Sequence, residues 1–214
     1  MYEDDYEKLF ITGRDGVASK IMHRLLERRL DKFHFSRTLE VGANKGEHLR
    51  HVRHTYDEYI LSDIVERIDH KLLDSKVSFK IADVCSLEFP DDYFDRIVVT
   101  CVIQHVADPE RAFGELLRVL KPGGNCRILL QSDSSILFRL LRTLTTVRYA
   151  RKANKTEEVQ LFFAREHRNN YLNLITLARY KYKMHKYRSF SLPIRIWPLE
   201  IFRVIEFKKQ LGEY

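Results

Sequence analysis

The sequence predicts an α/β protein with a doubly wound, Rossmann-like, mostly parallel sheet, and three observations carry that prediction. The stretch Thr38 to Gly46, TLEVGANKG, passes from an apolar segment ending in Glu40 straight into a turn punctuated by Gly42 and Gly46. Two more apolar runs, Tyr59 to Asp63 and Val77 to Asp83, also close on a carboxylate, and a fourth, Arg96 to Thr100, leads into Gln104 and His105. Between and after these runs, apolar residues recur at helical spacing, so strands alternate with helices.

Taken in order, residues 1–13 read as irregular, and Gly16 to Phe33 as a helix with Val17, Ile21, Met22, Leu25, Leu26, Leu30 and Phe33 on one side. Gly42 permits a tight turn with positive φ, Gly46 lets the first helical turn approach a ligand, and Asn44 tolerates the left-handed region. The following EHLRHVRHTY reads as a helix, whose N-terminus faces the turn. Asp63 lies about 20 residues beyond Gly42, the separation at which a second strand delivers an acid to ribose hydroxyls. With Asp83, the three strand-end acids fall along one edge of the sheet. Pro90-Asp91-Asp92 makes a turn. Asp108-Pro109-Glu110 starts a helix, with Asp at the cap, Pro at the first position and Glu complementing the dipole. Ala112, Phe113, Leu116, Leu117 and Leu120 form its buried stripe; Lys121 to Gly124 end it, and Cys126 to Leu130 is a fifth strand. Ile136 to Lys152 is an amphipathic helix with interleaved arginines, and Glu157 to Tyr182 one or two more helices. Tyr187 to Ile196 and Ile201 to Lys208 form a closing hairpin.

A chain of 214 residues with 44% hydrophobic and 31% charged residues fits a globular domain with a substantial core. It has no run near the ~18 apolar residues of a membrane span, and an acidic start unlike a signal peptide. Cys85, Cys101 and Cys126 read as buried free thiols without metal-ligand spacing, which suits a cytoplasmic setting. The net charge of +7 is uneven: residues 134–214 hold 17 Lys and Arg against 6 Asp and Glu, residues 1–133 hold 20 against 24. A basic C-terminal half points to an anionic partner or to a solvated basic face.

The ExGxNxG turn at 40–46, Asp63, the Ala82-Asp83 pair and FDRIVVTCVIQHVADPERAFGELLRVLKPGG at 94–124 resemble a class I S-adenosylmethionine-dependent methyltransferase of the type-11 methyltransferase domain family. The resemblance covers about residues 35–133. It implies a seven-stranded sheet of order 3-2-1-4-5-7-6 with the last strand antiparallel. It also implies S-adenosyl-L-methionine as cofactor: Glu40, Gly42, Asn44 and Gly46 facing its methionine part, Asp63 its ribose, Asp83 its adenine amine. Ile64, Val84, Cys101 and His105 complete the implied cofactor set. Asn44, where the family usually has glycine, is the departure. N-terminal segments in the family often fold over the cofactor, which brings in Tyr6 and Arg14.

The reading is one methyltransferase domain over 1–214, with a cofactor core at 35–133, a helical substrate-covering insertion at 134–185 and a hairpin at 186–210. Methyl transfer needs alignment more than covalent help, and an oxygen acceptor also needs a base. His167 and His105 are the candidates, His105 also as a pocket-shaping residue. The expected acceptor is small or saccharide-like, with a hydroxyl of a sugar that carries phosphates or a lipid carrier as the example that suits the basic half. A membrane surface is a candidate partner and nucleic acid a weaker one, for want of an RNA-binding module. The alternatives are an RNA methyltransferase, a nicotinamide-binding protein, which the GxxxG spacing opposes, and a non-catalytic cofactor-binding protein.

Overall fold

The computed structural model describes residues 17–152, 154–159, 161, 168–194, 196 and 198–210. Helix α1 (Val17–Leu26) precedes strands β1 (His34–Val41), β2 (Thr55–Asp63), β3 (Val77–Ile81) and β4 (Phe94–Thr100). Helix α2 (Pro109–Val119) leads into β5 (Leu120–Gln131). Helix α3 (Ile136–Arg142) passes through a wide turn at Thr143–Val147 into α4 (Arg148–Lys152); α5 (Tyr171–Lys181), β6 (Lys186–Leu192) and β7 (Phe202–Lys208) follow. The strands form one sheet in the order β3-β2-β1-β4-β5-β7-β6, and β7 alone runs antiparallel to its neighbours β5 and β6. This is the predicted order and the predicted antiparallel strand.

Alternate residues of the central strands serve opposite faces, as a two-residue period requires. Leu39, Ile97, Val99 and Ile128 pack with Phe113 and Leu116 of α2 and with Leu174 and Ala178 of α5. Val98, Leu129 and Val204 point the other way, onto Met22, Leu25 and Leu26 of α1. Asp108 caps α2 by accepting the Arg111 N–H at 2.9 Å, with Pro109 in its first turn, as predicted.

Four local expectations change. The helix after Gly46 shrinks to a single tight turn, Glu47–His51, because residues 42–54 must return the chain to the start of β2 while His48 and His54 turn inward onto one carboxylate, Glu27. Helix α1 stops at Leu26, because Glu27 faces inward and Arg29 takes a left-handed φ of 61°. β5 begins at Leu120, before the expected Cys126: the Lys121–Gly124 segment is absorbed as an irregularity in its pairing with β4. Of the three cysteines, only Cys126 is fully buried; all three are free thiols.

Glu27 is the hub of an ionic cluster between α1 and the sheet. It accepts from His48 Nε2 at 3.2 Å, His54 Nδ1 at 2.9 Å, the Arg53 N–H at 3.1 Å and the buried guanidinium of Arg96. Burial alone would raise its pKa, but Arg96 and the two histidines outweigh burial and hold it well below the usual carboxylate range. The cluster fixes the short turn that carries Gly46.

Candidate functional site

The ends of β1, β2 and β4 come together around the glycine turn. Gly42, Asn44 and Gly46 all have positive φ (78°, 47° and 83°), the conformation for which glycine and asparagine are best suited. At Gly42 sterics add a second reason: a Cβ there would lie 2.1 Å from Val102 Cγ2. At Gly46 a Cβ would strike Leu72 at 2.5 Å and Ile68 at 2.9 Å, so the packing of the protein's own residues also requires glycine there.

Asp63 organises the turn from the end of β2. Its Oδ2 accepts the Asn44 N–H at 2.9 Å and its Oδ1 the Ile64 N–H at 2.8 Å. Glu47 braces the other side, accepting from Asn44 Nδ2 and from the Lys45 N–H. Asp83 stands beyond β3, exposed, its Oδ1 taking the Cys85 N–H at 2.8 Å. Between the two acids, Ile64 (69% exposed), Val65 and Ile81 present apolar surface to solvent, the chemistry that receives a flat apolar ring. Val84 is buried in the core, so only its backbone is available to a ligand.

Glu40 lies beneath the turn, 1% exposed, and its Oε2 accepts the Tyr59 hydroxyl at 2.7 Å. Burial pushes its pKa up, against the nearby His48 and the Tyr59 bond. Cys101 closes the β4 end with φ 55°, and burial pushes its thiol up to about 12, so it supplies shape and not a nucleophile.

The loop after β4 is held from the segment just before α5. Asn169 donates through Nδ2 to the carbonyls of Ile103 (3.2 Å) and Val106 (2.7 Å), and its N–H donates to the Gln104 carbonyl at 3.1 Å. His105, half-buried, sits in this loop with its N–H on the Val102 carbonyl. Nothing local announces this clamp: Asn169 stands in a charged run, and only its place before the Asn170 cap of α5 marks it. Gln104 is 1% exposed, and among the described residues neither of its amide atoms has a hydrogen-bond partner. A buried amide so placed is ready for a polar ligand. Tyr6, Arg14 and His167 lie outside the described residues.

Glu40, Gly42, Asn44, Gly46, Asp63 and Ile64 are thus brought to one edge with Asp83, Cys101 and His105. Among the described residues no group of three or more His, Cys, Asp or Glu side chains is arranged to hold a metal, and no helix is long and apolar enough to cross a membrane.

Residues 39–128 match a methyltransferase domain family, type 11. A ubiquinone/menaquinone biosynthesis C-methyltransferase of Stutzerimonas stutzeri is 32% identical over 130 residues, 54% of this chain and 51% of that protein. The chain spans about half, or less, of the length of such curated relatives. Among solved structures, the N-methyltransferase NodS of Bradyrhizobium japonicum bound to S-adenosyl-L-homocysteine shares the fold, with TM-score 0.66 and 16% identity over 97% of each chain. A chain from the complex of the Haloferax volcanii Trm112 methyltransferase activator with a methyltransferase has TM-score 0.69 and 15% identity over 99% and 97%.

Proposed function

From its membership of the S-adenosylmethionine-dependent methyltransferases, through its type-11 domain, we propose that this chain methylates an oxygen of a small or saccharide-like acceptor with an anionic or lipid-linked part. The observation that carries the cofactor half is Glu40: a carboxylate sealed beneath the left-handed turn whose hydrogen-bond donor is a neutral hydroxyl, not a cation. A buried acid in that state is stabilised by an arriving positive charge, and the methionine end of S-adenosylmethionine carries an ammonium and a sulfonium. Gly42 supplies the positive φ of the turn, Asp63 would meet the ribose hydroxyls, and Ile64 and Asp83 suit the adenine ring and its amine.

The cofactor supplies an activated methyl group; the chain's work is alignment, desolvation and removal of a proton. Gln104 would orient the acceptor by hydrogen bonding. His105, or His167 from the insertion, would take the hydroxyl proton. The insertion at 134–185 would cover the acceptor, with Arg139, Arg148 and Arg151 exposed toward an anionic group.

A second reading is carbon methylation of a lipid-like acceptor. It is favoured by the relative named for ubiquinone/menaquinone biosynthesis, and by Ile136, Leu140 and Leu144, all more than half exposed at four-residue spacing along the insertion.

Calorimetry checks the cofactor first: S-adenosylhomocysteine should bind and NAD should not, and Asp63→Ala should weaken binding by about 1–3 kcal/mol, the scale of a hydrogen bond to a charged group. NAD binding without any response to S-adenosylhomocysteine would overturn the reading. For the base, His167→Ala should lower kcat about 100-fold or more with cofactor affinity intact, whereas His105→Ala should weaken the cofactor as well. A collapse confined to His105→Ala, with cofactor affinity intact, would give His105 the base role.

A further inference from the structure

At the opposite edge of the sheet, where β1 and β5 begin and β7 ends, a cavity of about 380 Å³ opens that the methyl-transfer site does not use. We propose that it is a second binding site, for a small molecule with an anionic group on a flat apolar body.

The charge balance is the first argument. Arg28, Arg29, Arg127, Arg188 and Lys208 line the cavity against one carboxylate, Glu206. That carboxylate is already committed: it accepts from Arg127 Nε at 2.9 Å and Nη2 at 2.8 Å, and from Arg188 Nε at 3.0 Å and Nη2 at 2.7 Å. Burial would push Glu206 up, but the two arginines outweigh it and hold it below its usual range. Among the described residues no carboxylate pairs with Arg28, Arg29 or Lys208. The lining therefore carries a surplus of positive charge, part of it on the exposed Arg28 and Arg29, where salt screens it.

Its build is the second argument. Arg127 is 4% exposed and locked, with Nη1 donating to the carbonyls of Leu26 (2.6 Å) and Arg28 (2.9 Å). Burial lowers its pKa to about 10, which leaves it charged at neutral pH. Arg127 and Glu206 with Arg188 thus form a fixed floor, so the cations beside it meet a ligand without rearrangement of the sheet.

The third argument is the apolar wall. Leu30, Phe33, Phe35 and Phe190 supply it, with Phe33 44% exposed. Lys208 sits 5.8 Å from the Phe33 ring and Arg127 5.7 Å from the Phe190 ring, so charge and aromatic surface adjoin. A bare inorganic anion would leave that wall wet, whereas an aryl phosphate or aryl carboxylate covers it. The volume lies in the range of small-molecule sites, roughly 300–1,000 Å³.

The test is calorimetric titration of the whole chain with phenyl phosphate, inorganic phosphate and benzyl alcohol. Phenyl phosphate should saturate one site, inorganic phosphate should bind about tenfold more weakly, and benzyl alcohol should give no signal. Arg29→Gly suits the left-handed backbone there, and Lys208→Met keeps a long side chain in β7, so both should hold their thermal midpoints. Each should weaken phenyl phosphate about tenfold. No saturable binding, equal affinity for inorganic phosphate, displacement by S-adenosylhomocysteine, or indifference to both substitutions would each overturn the proposal.

Discussion

Glu27 and Glu40 are 0% and 1% exposed, and the short turn that holds Gly46 runs from one to the other. Glu27 is met by a guanidinium and two imidazoles, Glu40 by the hydroxyl of Tyr59. Their titration is displaced in opposite directions, down for Glu27 and up for Glu40. A buried carboxylate that has its cation inside the fold is scaffold. One that has only a neutral donor is kept for a cation from outside. The region behind the turn has its charges matched inside the fold, and the region beneath it, which the proposed function assigns to the cofactor, does not.

The sharpest way to break this comparison is to remove each acid. Glu27→Ala leaves Arg96 buried without its carboxylate and should cost about 3–5 kcal/mol in urea denaturation. Glu40→Gln keeps the shape, should change stability by less than about 1 kcal/mol and gain slightly at pH 8, where the ionised acid is least comfortable. S-adenosylhomocysteine binding should fall at least tenfold in Glu40→Gln. If the two substitutions cost the same stability, or Glu40→Gln binds normally, the division of labour fails.

Much of the binding region was legible in the sequence because its parts are local. Glu40, Gly42 and Asn44 are a contiguous turn, and Asp63 and Asp83 follow apolar runs of strand length, so a strand-end reading places each acid. The scaffold was not legible. Glu27 sits between Leu26 and Arg28 in a helix-like run and reads as one more exposed charge, while His48, His54 and Arg96 reach it from three separate segments. The packing around Gly46 is of the same kind: Ile68 and Leu72, which fill the space beside it, are distant in sequence and look like ordinary apolar residues. The clamp from Asn169 has the same character. Part of the basic surplus in residues 134–214 also proves internal, with Arg188 on Glu206, Arg203 on Glu200 and Lys209 on Asp92.

A pH series sharpens the comparison at intermediate size. Burial, aided by the neighbouring His48 and His51, lowers His23 from 6.5 to about 3. Between those values the unfolded chain binds the proton and the folded chain does not, so stability must fall as pH drops below about 6.5. At pH 5 the loss from His23 is about 2 kcal/mol. His51 and His54, also lowered by burial, act in the same direction, and Glu27 joins only below about pH 4.5. Urea melts at pH 7.5 and 5 should show the fall, and His23→Phe should reduce it. Glu40, raised by burial, acts in the opposite direction, so the series is read in Glu40→Gln, where a stability unchanged over that interval would mean that the region behind the turn accepts protons without penalty.

The smallest effect belongs to the insertion. Arg139, Arg148 and Arg151 are exposed and have no carboxylate partner among the described residues, whereas Arg142 is partly buried beside Arg139, and burial lowers its pKa. Exposed charges act through solvent and are screened beyond about 8 Å at physiological ionic strength. Arg148→Glu with Arg151→Glu should therefore raise the KM for an anionic acceptor only a few-fold, and added salt should mimic the change in the parent protein. Cofactor affinity and stability should stay as they were, because neither residue contacts the turn or the Glu27 cluster. The salt dependence is the part that discriminates. If KM rises with salt equally before and after the substitutions, the charge that meets the acceptor lies elsewhere, and these arginines are solvated surface. If instead cofactor binding weakens, the insertion bears on the turn itself, and the boundary drawn here between acceptor and cofactor regions has to move.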